Sequence, residues 1–332
     1  MTDAPINPVL ISVIIPCLCA PSLLSRVLQT LADQDFKNFE CIVCDDGSEV
    51  PLKEIAFSFS NVLSIKYHRN EKNQGRARTR NEGIKLAAGE IIFFLDVDQI
   101  VSPTALNELQ KHFSDGKIKS VRANVSLLPS LYRSSNYGKY FNSRFLGQRD
   151  PKSLAELNLD NLPPKFFATD SVAVPTSIVK ELGGFLEEFK GYGCEDEEFG
   201  VRLSERGVPL VWSRTVQVFD ADNSLSLERA CNRMIEYARS SAPILIRRHP
   251  AYAVHSAFAL LEKPSASLTL KSRLIRRSLL VGLRPWLASR IVKYLKVHDQ
   301  DAVRPADRWY QLALVGYYLI GYRLRNRSGG SP

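Results

Sequence analysis

The sequence predicts an α/β fold, with a mixed, mostly parallel sheet flanked by helices and a helical C-terminal extension. Three patterns indicate it. Short apolar runs rich in Ile, Val and Phe alternate with amphipathic stretches in the first half of the chain. Several of these runs end abruptly in acidic residues. From about residue 224 to 325 the apolar spacing is helical, interrupted by prolines.

The predicted elements follow in order along the chain. Pro16 is expected to stop the first strand, and Ser102-Pro103 supplies the N-cap and first residue of a helix. Residues 130–165 are polar and aromatic and are predicted to form an irregular, mobile loop. Strands are predicted at 9–15, 39–44, 62–67, 90–95, 119–128, 166–175 and 208–219, and helices at 22–32, 52–59, 75–88 and 103–113.

Composition and cysteine placement bound the class of protein. The chain has 332 residues, 45% hydrophobic and 24% charged, as in ordinary globular proteins. No run reaches the roughly 18 apolar residues that span a bilayer, and the apolar start at 8–18 is predicted to be a strand rather than a signal peptide. Strand alternation places Cys41 and Cys44 on opposite faces. We therefore expect buried thiols in a reducing cytoplasm rather than zinc ligands.

Charge is placed unevenly. From residue 221 onward there are 19 Lys and Arg against 7 Asp and Glu, whereas the whole chain has 44 against 35. The basic excess therefore lies in the last third, which predicts contact between that part and an acidic surface.

A pair of acids follows the most apolar predicted strand. The run Glu90 to Leu95 is succeeded by Asp96 and Asp98. Open α/β sheets bind ligands at the carboxyl ends of their strands, and two hard oxygen ligands there suit Mg²⁺ or Mn²⁺. Taken alone, the pair is more typical of a charged turn after a strand.

Three other segments accompany this pair in a fixed order. They are Asp45-Asp46-Gly47-Ser48 after the second strand, Gly75 to Gly83 with Arg80-Asn81, and Gly191-Tyr192-Gly193-Cys194-Glu195-Asp196. Together, over residues 9 to about 250, these segments resemble family 2 glycosyltransferases, which have the GT-A fold. The resemblance implies a Rossmann-like sheet and a nucleotide-sugar donor.

The resemblance also implies a role for each segment. Asp46 or Asp45 would accept a hydrogen bond from the nucleobase, and Asp98, with Asp96 at the ribose, would bind Mn²⁺ or Mg²⁺. Asp196 would be the general base of an inverting reaction, and Glu195 would bind sugar hydroxyls. The remaining donor-site residues would be Pro16, Gly47, Arg80 and Asn81, with Arg80 pairing with a phosphate.

Two departures from the family pattern stand out. The run Pro16-Cys17-Leu18-Cys19 lacks the aromatic residue that stacks on the base, so the choice of base stays open. The region where family members often place a metal-binding His reads Val218-Phe219-Asp220-Ala221-Asp222. Asp220 would then be an oxygen ligand, or metal binding would be weaker.

The C-terminal region is predicted to form a second domain, residues 223–332, after a catalytic domain of residues 1–222. Residues 268–297 mix apolar side chains and a Trp with Lys and Arg, and residues 309–327 repeat the pattern. Such basic amphipathic helices are typical of an anionic membrane surface. The alternative is a helical subdomain with a solvated basic face. No nucleic-acid-binding motif accompanies the charge.

The sequence thus predicts a cytoplasmic glycosyltransferase, peripheral on the inner membrane face. It would move a sugar, expected from a UDP-sugar, to a saccharide or lipid-linked acceptor during synthesis of a cell-surface glycan. One alternative is a sugar nucleotidyltransferase, although residues 16–21 lack the Gly-rich, Arg-containing loop that class needs. Another is a degenerate, membrane-bound scaffold. The sequence does not predict the donor sugar, the linkage or the oligomeric state.

Overall fold

The computed structural model describes residues 10–222, 224–253, 259–262 and 268–327. These residues fall into two units. The first comprises residues up to 128, 143–187 and 195–222; the second comprises 129–142, 188–194 and the described residues after 222.

The first unit is built on one eight-stranded mixed sheet. Its strands are β1 (Ile11–Cys17), β2 (Phe39–Asp45), β3 (Ile65–Arg69), β4 (Ile91–Leu95), β5 (Gln99–Val101), β6 (Ser120–Leu127), β7 (Ser171–Pro175) and β8 (Leu210–Asp220). The order across the sheet is β3-β2-β1-β4-β7-β6-β8-β5. The first four strands in this order run parallel, β7 runs antiparallel to both its neighbours, and β6 and β8 are parallel. The predicted α/β class is confirmed.

Helices flank the sheet and form the second unit. In the described ranges they are α1 (Pro21–Ala32), α2 (Lys53–Phe57), α3 (Arg76–Leu86), α4 (Ala105–Lys111), α5 (Pro129–Arg133), α6 (Asn136–Asn142), α7 (Pro151–Ala155), α8 (Thr176–Glu181), α9 (Glu195–Glu205), α10 (Leu227–Glu236), α11 (Ala242–Arg248), α12 (Pro250–Ala253), α13 (Ala259–Glu262), α14 (Leu270–Gly282), α15 (Pro285–Val297) and α16 (Asp307–Arg327). Short 3₁₀ turns occur at Leu146–Gln148 and Pro164–Phe166, and a π-helical turn at Tyr237–Ser241 follows α10.

The sheet is apolar on both faces because helices cover both. Alternate residues of β1 point to opposite sides: Val13 packs with α1 and α4, and Ile14 packs with α3 and α9. Cys41 and Cys44 lie in these two different cores, as the alternation predicts. No disulfide links the cysteines, and Cys19 alone among them is exposed.

Several local predictions were wrong. Helix α4 begins at Ala105 with Thr104 at its N-cap, rather than with Ser102 and Pro103, and β7 begins at Ser171 rather than at residue 166. Strand β1 continues through Pro16 to Cys17, which is tolerated because its pairing with β4 ends at Ile14, before the missing N–H of Pro16; residue 9 lies outside the described residues. Strand β5 was not predicted, because three residues are too few to show an alternation of apolar and polar side chains. Residues 130–165 contain α5, α6 and α7 rather than an irregular loop.

The second unit has its own helical core. Tyr310 and Tyr318 of α16 are fully buried there, and Tyr310 stacks on Tyr140 with ring centroids 4.5 Å apart. Arg325 pairs with Glu262 at 2.6 Å. Tyr310 and Tyr318 therefore serve this core rather than an outer surface, whereas Trp309 at the start of α16 is 37% exposed. Among the described residues, no helix is both long and apolar enough to cross a bilayer.

Candidate active site

Four aspartates meet at one edge of the sheet. Asp96 and Asp98 follow β4, and Asp170 precedes β7, which runs back antiparallel beside it; the Asp96 N–H donates to the Asp170 carbonyl at 3.1 Å. Asp220 ends β8 opposite Gln99, and the next N–H along the chain donates to the Asp98 carbonyl at 2.9 Å. The topology thus brings Asp220 beside Asp98, although they are 122 positions apart in the sequence.

Two of these carboxylates have cationic partners and two do not. Arg122 pairs with Asp170, and Arg80 pairs with Asp96 at 2.9 Å. In the part of the chain that the structure describes, no ion pair forms to Asp98 or Asp220. Burial, and then the charge of Asp96, raise the pKa of Asp98 to about 6. Burial, and then the charge of Asp98, raise the pKa of Asp220 to about 7.

This pair of carboxylates fits a divalent cation. Asp98 and Asp220 offer hard oxygen donors, the type that Mg²⁺ and Mn²⁺ prefer. Each disfavours the negative charge of the other, and a cation would relieve that repulsion. The described residues contain no group of three or more His, Cys, Asp or Glu arranged to hold an ion; Mg²⁺ held by one or two carboxylates and substrate phosphates needs none.

Arg80 links this edge to helix α9. Its side chain is 1% exposed and donates to Asp96 Oδ1 at 2.9 Å and to Glu195 Oε1 at 3.0 Å. The guanidinium also lies 5.8 Å from the ring centroid of Phe185. Arg80 was expected to pair with a phosphate, but its charge is used here to bridge two carboxylates of the protein.

The acids of the Glu195-Asp196 pair occupy different environments at the start of α9. Glu195 is buried, and its Oε2 has no hydrogen-bond partner among the residues that the structure describes. Asp196 is partly exposed and accepts the Glu197 N–H at 2.7 Å. Burial, and then the charge of Glu195, raise the pKa of Asp196 to about 7, against the opposing effect of Arg80. Asp196 can therefore accept or release a proton near neutral pH.

The backbone just before this pair is strained. Cys194 has φ of 73°, a left-handed conformation that non-glycine residues rarely adopt, and Gly193 has φ of 80°. Such strain concentrates at functional sites.

Asn81 has a structural role. Its Oδ1 accepts the Phe185 N–H at 2.8 Å, and its Nδ2 donates to the Phe185 carbonyl at 2.9 Å. The amide thus fixes the loop after α8, including the ring over which Arg80 lies. Asn81 was predicted to lie beside the nucleotide; these contacts explain the residue without a nucleotide, and that prediction stays a prediction.

Asp45 is engaged by its own turn. It is fully buried and accepts hydrogen bonds from the Ser48 and Leu52 N–H groups and from the Tyr67 hydroxyl, at 2.9, 3.2 and 2.6 Å. Burial raises the pKa of Asp45, but the hydrogen bonds from Ser48 and Tyr67 outweigh it and hold the pKa below its usual range. Both carboxylate oxygens of Asp45, which was expected to bind the nucleobase, are thus used within the protein.

Asp46 and Gly47 hold the loop before α3. Asp46 accepts the Gln74 and Gly75 N–H groups at 2.8 and 3.0 Å. Gly47 has φ of 78°, and a Cβ there would lie 2.5 Å from the Lys72 backbone. The turn therefore needs glycine for conformation and for close approach. Pro16 lies partly exposed in β1 and pairs with Cys44 of β2.

The N-terminal half matches a known family model. Residues 12–164 match the model described as "Glycosyl transferase family 2". Over these residues the chain is similar to glycosyltransferase family 2. The validoxylamine A glucosyltransferase of Streptomyces hygroscopicus subsp. jinggangensis is 29% identical over 265 residues, which cover 73% of this chain and 61% of that protein. The chain thus spans about three-fifths of the length of this relative.

Solved structures show the same fold. The mannosyltransferase PcManGT from Pyrobaculum calidifontis, in complex with GDP-Man and Mn²⁺, has a TM-score of 0.60 at 16% identity and covers 97% of this chain and 88% of its own. Residues 1–349 of Staphylococcus aureus TarS, in complex with UDP-GlcNAc, have a TM-score of 0.52 at 16% identity, with 96% and 92% covered. The chain therefore has the GT-A type fold that was predicted.

Asp170 and Arg122 were missed by sequence reasoning. Each is a single charged residue in or beside an ordinary strand-like run. Their proximity to Asp96 follows from the antiparallel course of β7, which local sequence does not specify. Asp170 lies inside the strand predicted at 166–175, and only the structure, in which β7 begins at Ser171, places it directly before a strand.

Proposed function

We propose that this transferase moves a sugar from a UDP-sugar to a hydroxyl of a saccharide or lipid-linked acceptor, with inversion and with a divalent metal. The observation that carries the proposal is the Arg80 bridge, since it ties Asp96 of the sheet edge to Glu195, the neighbour of Asp196. Groups suited to a donor diphosphate and a proton acceptor are thereby coupled within the first unit.

Asp196 is proposed as the general base. The acceptor O–H gives its proton to this carboxylate while its oxygen bonds to the anomeric carbon; the bond from that carbon to the diphosphate breaks, and the nucleoside diphosphate leaves. A single displacement of this kind inverts the anomeric centre. A pKa of about 7 suits the role, because a base tuned near the working pH is both deprotonated and able to hold a proton.

Asp98 and Asp220 are proposed to hold Mn²⁺ or Mg²⁺, beside Asp96, which pairs with Arg80. When bound, the ion stabilises the negative charge that develops on the departing diphosphate. Asp220 would then supply the ligand for which family members often use histidine. The PcManGT complex contains Mn²⁺, which supports divalent metal use without fixing its ligands here.

The nucleobase is proposed to be uracil, held near Pro16, Asp46 and Gly47. The two structural neighbours carry different bases, in GDP-Man and UDP-GlcNAc, so the base must be measured. We also propose a cytoplasmic enzyme of cell-surface glycan synthesis, with residues 1–222 as catalytic domain and 223–332 as helical extension.

A donor-hydrolysis assay tests the proposal without a known acceptor, since water then serves as acceptor. UDP-Glc, UDP-GlcNAc and GDP-Man are each incubated with the protein and Mn²⁺ or with EDTA, and nucleotide release is measured. We expect release from a UDP-sugar, loss with EDTA, and a decrease of about 10²- to 10⁴-fold in Asp196→Asn. Glu205→Gln, an exposed acid at the end of the same helix, is the matched control.

Failure of every donor would return the scaffold hypothesis to first place. Release that is unaffected in Asp196→Asn would remove the proposed base. NMR of the sugar first released then shows whether its anomeric configuration is opposite to that of the donor, as inversion requires, or the same.

A further inference from the structure

Helix α14 presents an apolar stripe to solvent. Leu270, Leu274 and Val281 are 73, 57 and 55% exposed, and their spacing of four and seven residues places them on one face. No residue of α14 is buried. Partly buried Leu279 and Leu280 provide its contact with the core of the second unit. The outward stripe is therefore not needed for folding.

Helix α15 separates its two faces more sharply. Ala288, Ile291, Val292 and Leu295 are buried in the core of the unit. The opposite face carries Trp286 and Val297, which are 60 and 68% exposed, with Arg290 and Lys293 between them at helical spacing. The Arg290 guanidinium lies 5.4 Å from the Trp286 ring centroid. Large apolar side chains thus remain exposed after the core of α15 is complete.

The charge of this region has one sign. Residues 270–297 contain eight Lys and Arg and no Asp or Glu. Four of the eight are used within the protein: Arg273 donates to the Leu268 carbonyl, Arg276 to the Tyr322 hydroxyl, Arg284 to the Val281 carbonyl, and Lys296 to Glu228. Among the described residues, no ion pair forms to the remaining four.

Helix α16 has a different role, although its sequence is also aromatic and basic. Its tyrosines lie in the core, and Arg323 donates to the carbonyls of Leu280 and Leu283 at the end of α14. The exposed apolar and basic side chains are therefore concentrated on α14 and α15.

We propose that the outer faces of α14 and α15 bind an anionic lipid surface. Exposed Leu, Val and Trp side chains enter the boundary between headgroups and acyl chains, while Lys and Arg contact anionic headgroups. A nucleic acid would be attracted by the same charge but gives no reason for the exposed aliphatic stripe. This inference names a partner of the proposed transferase. The binding itself is argued from α14 and α15 alone, and only its biological purpose rests on the proposed function.

Vesicle co-sedimentation tests the proposal with the full chain. Vesicles of phosphatidylcholine alone are compared with vesicles containing 30% phosphatidylglycerol, at low and at high salt. One variant, Leu274→Asn with Val281→Asn, removes apolar contacts; another, Lys271→Gln with Arg277→Gln, removes charge. These side chains are all exposed, so the fold should persist. The matched controls are Val303→Asn and the pair Lys117→Gln with Lys180→Gln, exposed residues outside both helices.

We expect binding only to the anionic vesicles, weakened by salt. The charge variant should bind about 25-fold more weakly, since each cation near an anionic surface is worth about fivefold, and the apolar variant at least about tenfold more weakly. The controls should bind as the wild type does. Nucleotide-dependent thermal stabilisation, measured in the same variants, should be unchanged, so a failed donor site and a failed lipid surface are told apart.

Three results would overturn the proposal: equal binding to both kinds of vesicle, wild-type binding by both α14 variants, or binding to a duplex oligonucleotide with none to vesicles. The last would assign the same charge to nucleic acid.

Discussion

Replacing Arg80 by methionine should strongly destabilise the first unit. Arg80 is almost fully buried and makes two charge-assisted hydrogen bonds, at 2.9 and 3.0 Å. At about 1.5–3 kcal/mol each, their loss amounts to about 3–6 kcal/mol. Breaking a buried ion pair from one side costs about 3–5 kcal/mol. Because the Asp96 side chain is 30% exposed and partly screened, we expect about 3–4 kcal/mol.

Equilibrium unfolding in urea measures this loss without any substrate. Arg78→Met, an exposed arginine of the same helix, is the control and should change the free energy of unfolding by less than about 0.5 kcal/mol. Arg80→Lys should lie between, because a single ammonium does not match the two-pronged geometry of a guanidinium. A loss below about 1 kcal/mol in Arg80→Met would refute the buried bridge.

Three further predictions concern proton transfer, the glycine turn and the thiols. Donor hydrolysis should fall about tenfold per pH unit below pH 7 and level off above it, because Asp196 acts deprotonated and its pKa is raised to about 7; a limb below pH 5 would contradict this. Gly47→Ala should lower the free energy of unfolding by about 2–4 kcal/mol, through positive φ and a backbone clash, whereas Gly116→Ala, with similar φ and open space, should cost about 1 kcal/mol; equal losses in urea unfolding would contradict the clash. Native protein should react with a thiol reagent at Cys19 alone, because the other cysteines are buried and burial raises the pKa of the Cys44 thiol to about 12. Rapid reaction of more than one thiol per chain, or unchanged reaction in Cys19→Ser, would contradict this.

The positions of the main strands along the chain were predictable because buried parallel strands are unbroken apolar runs. The run before Asp96 and the run before Asp45 were both located to within a residue or two. Boundaries failed where tertiary pairing decided them, as at Pro16, and where an element was too short to carry a period, as in β5.

The partners of the site residues were less predictable than the residues themselves. The sequence singled out Arg80, Asn81 and Asp45 as site residues. It did not show that the side chain of each forms hydrogen bonds within the protein. Such contacts depend on which loops approach the sheet edge, and no local pattern encodes that. Asp220 is the opposite case: the resemblance to the family nominated it as an oxygen ligand in place of a histidine, and the β5–β8 pairing brings it beside Asp98.

The helical region shows the same limit. The residues of α14 and α16 have similar composition, with arginines among aliphatic or aromatic side chains. Only packing distinguishes them, because Tyr310 and Tyr318 are buried and Leu270 and Leu274 are exposed.

Metal-dependent nucleotide binding tests the central claim most directly. The thermal unfolding temperature is measured with UDP, GDP, CDP or dTDP, with and without Mn²⁺, in the wild type, Asp98→Asn and Asp220→Asn, with exposed Asp160→Asn as control. A nucleotide at 100 times its Kd should stabilise by about 2.7 kcal/mol. We predict that UDP stabilises only with Mn²⁺ and that both site variants, but not the control, lose the effect. Stabilisation that needs no metal, or that survives in both site variants, would contradict the proposed donor site.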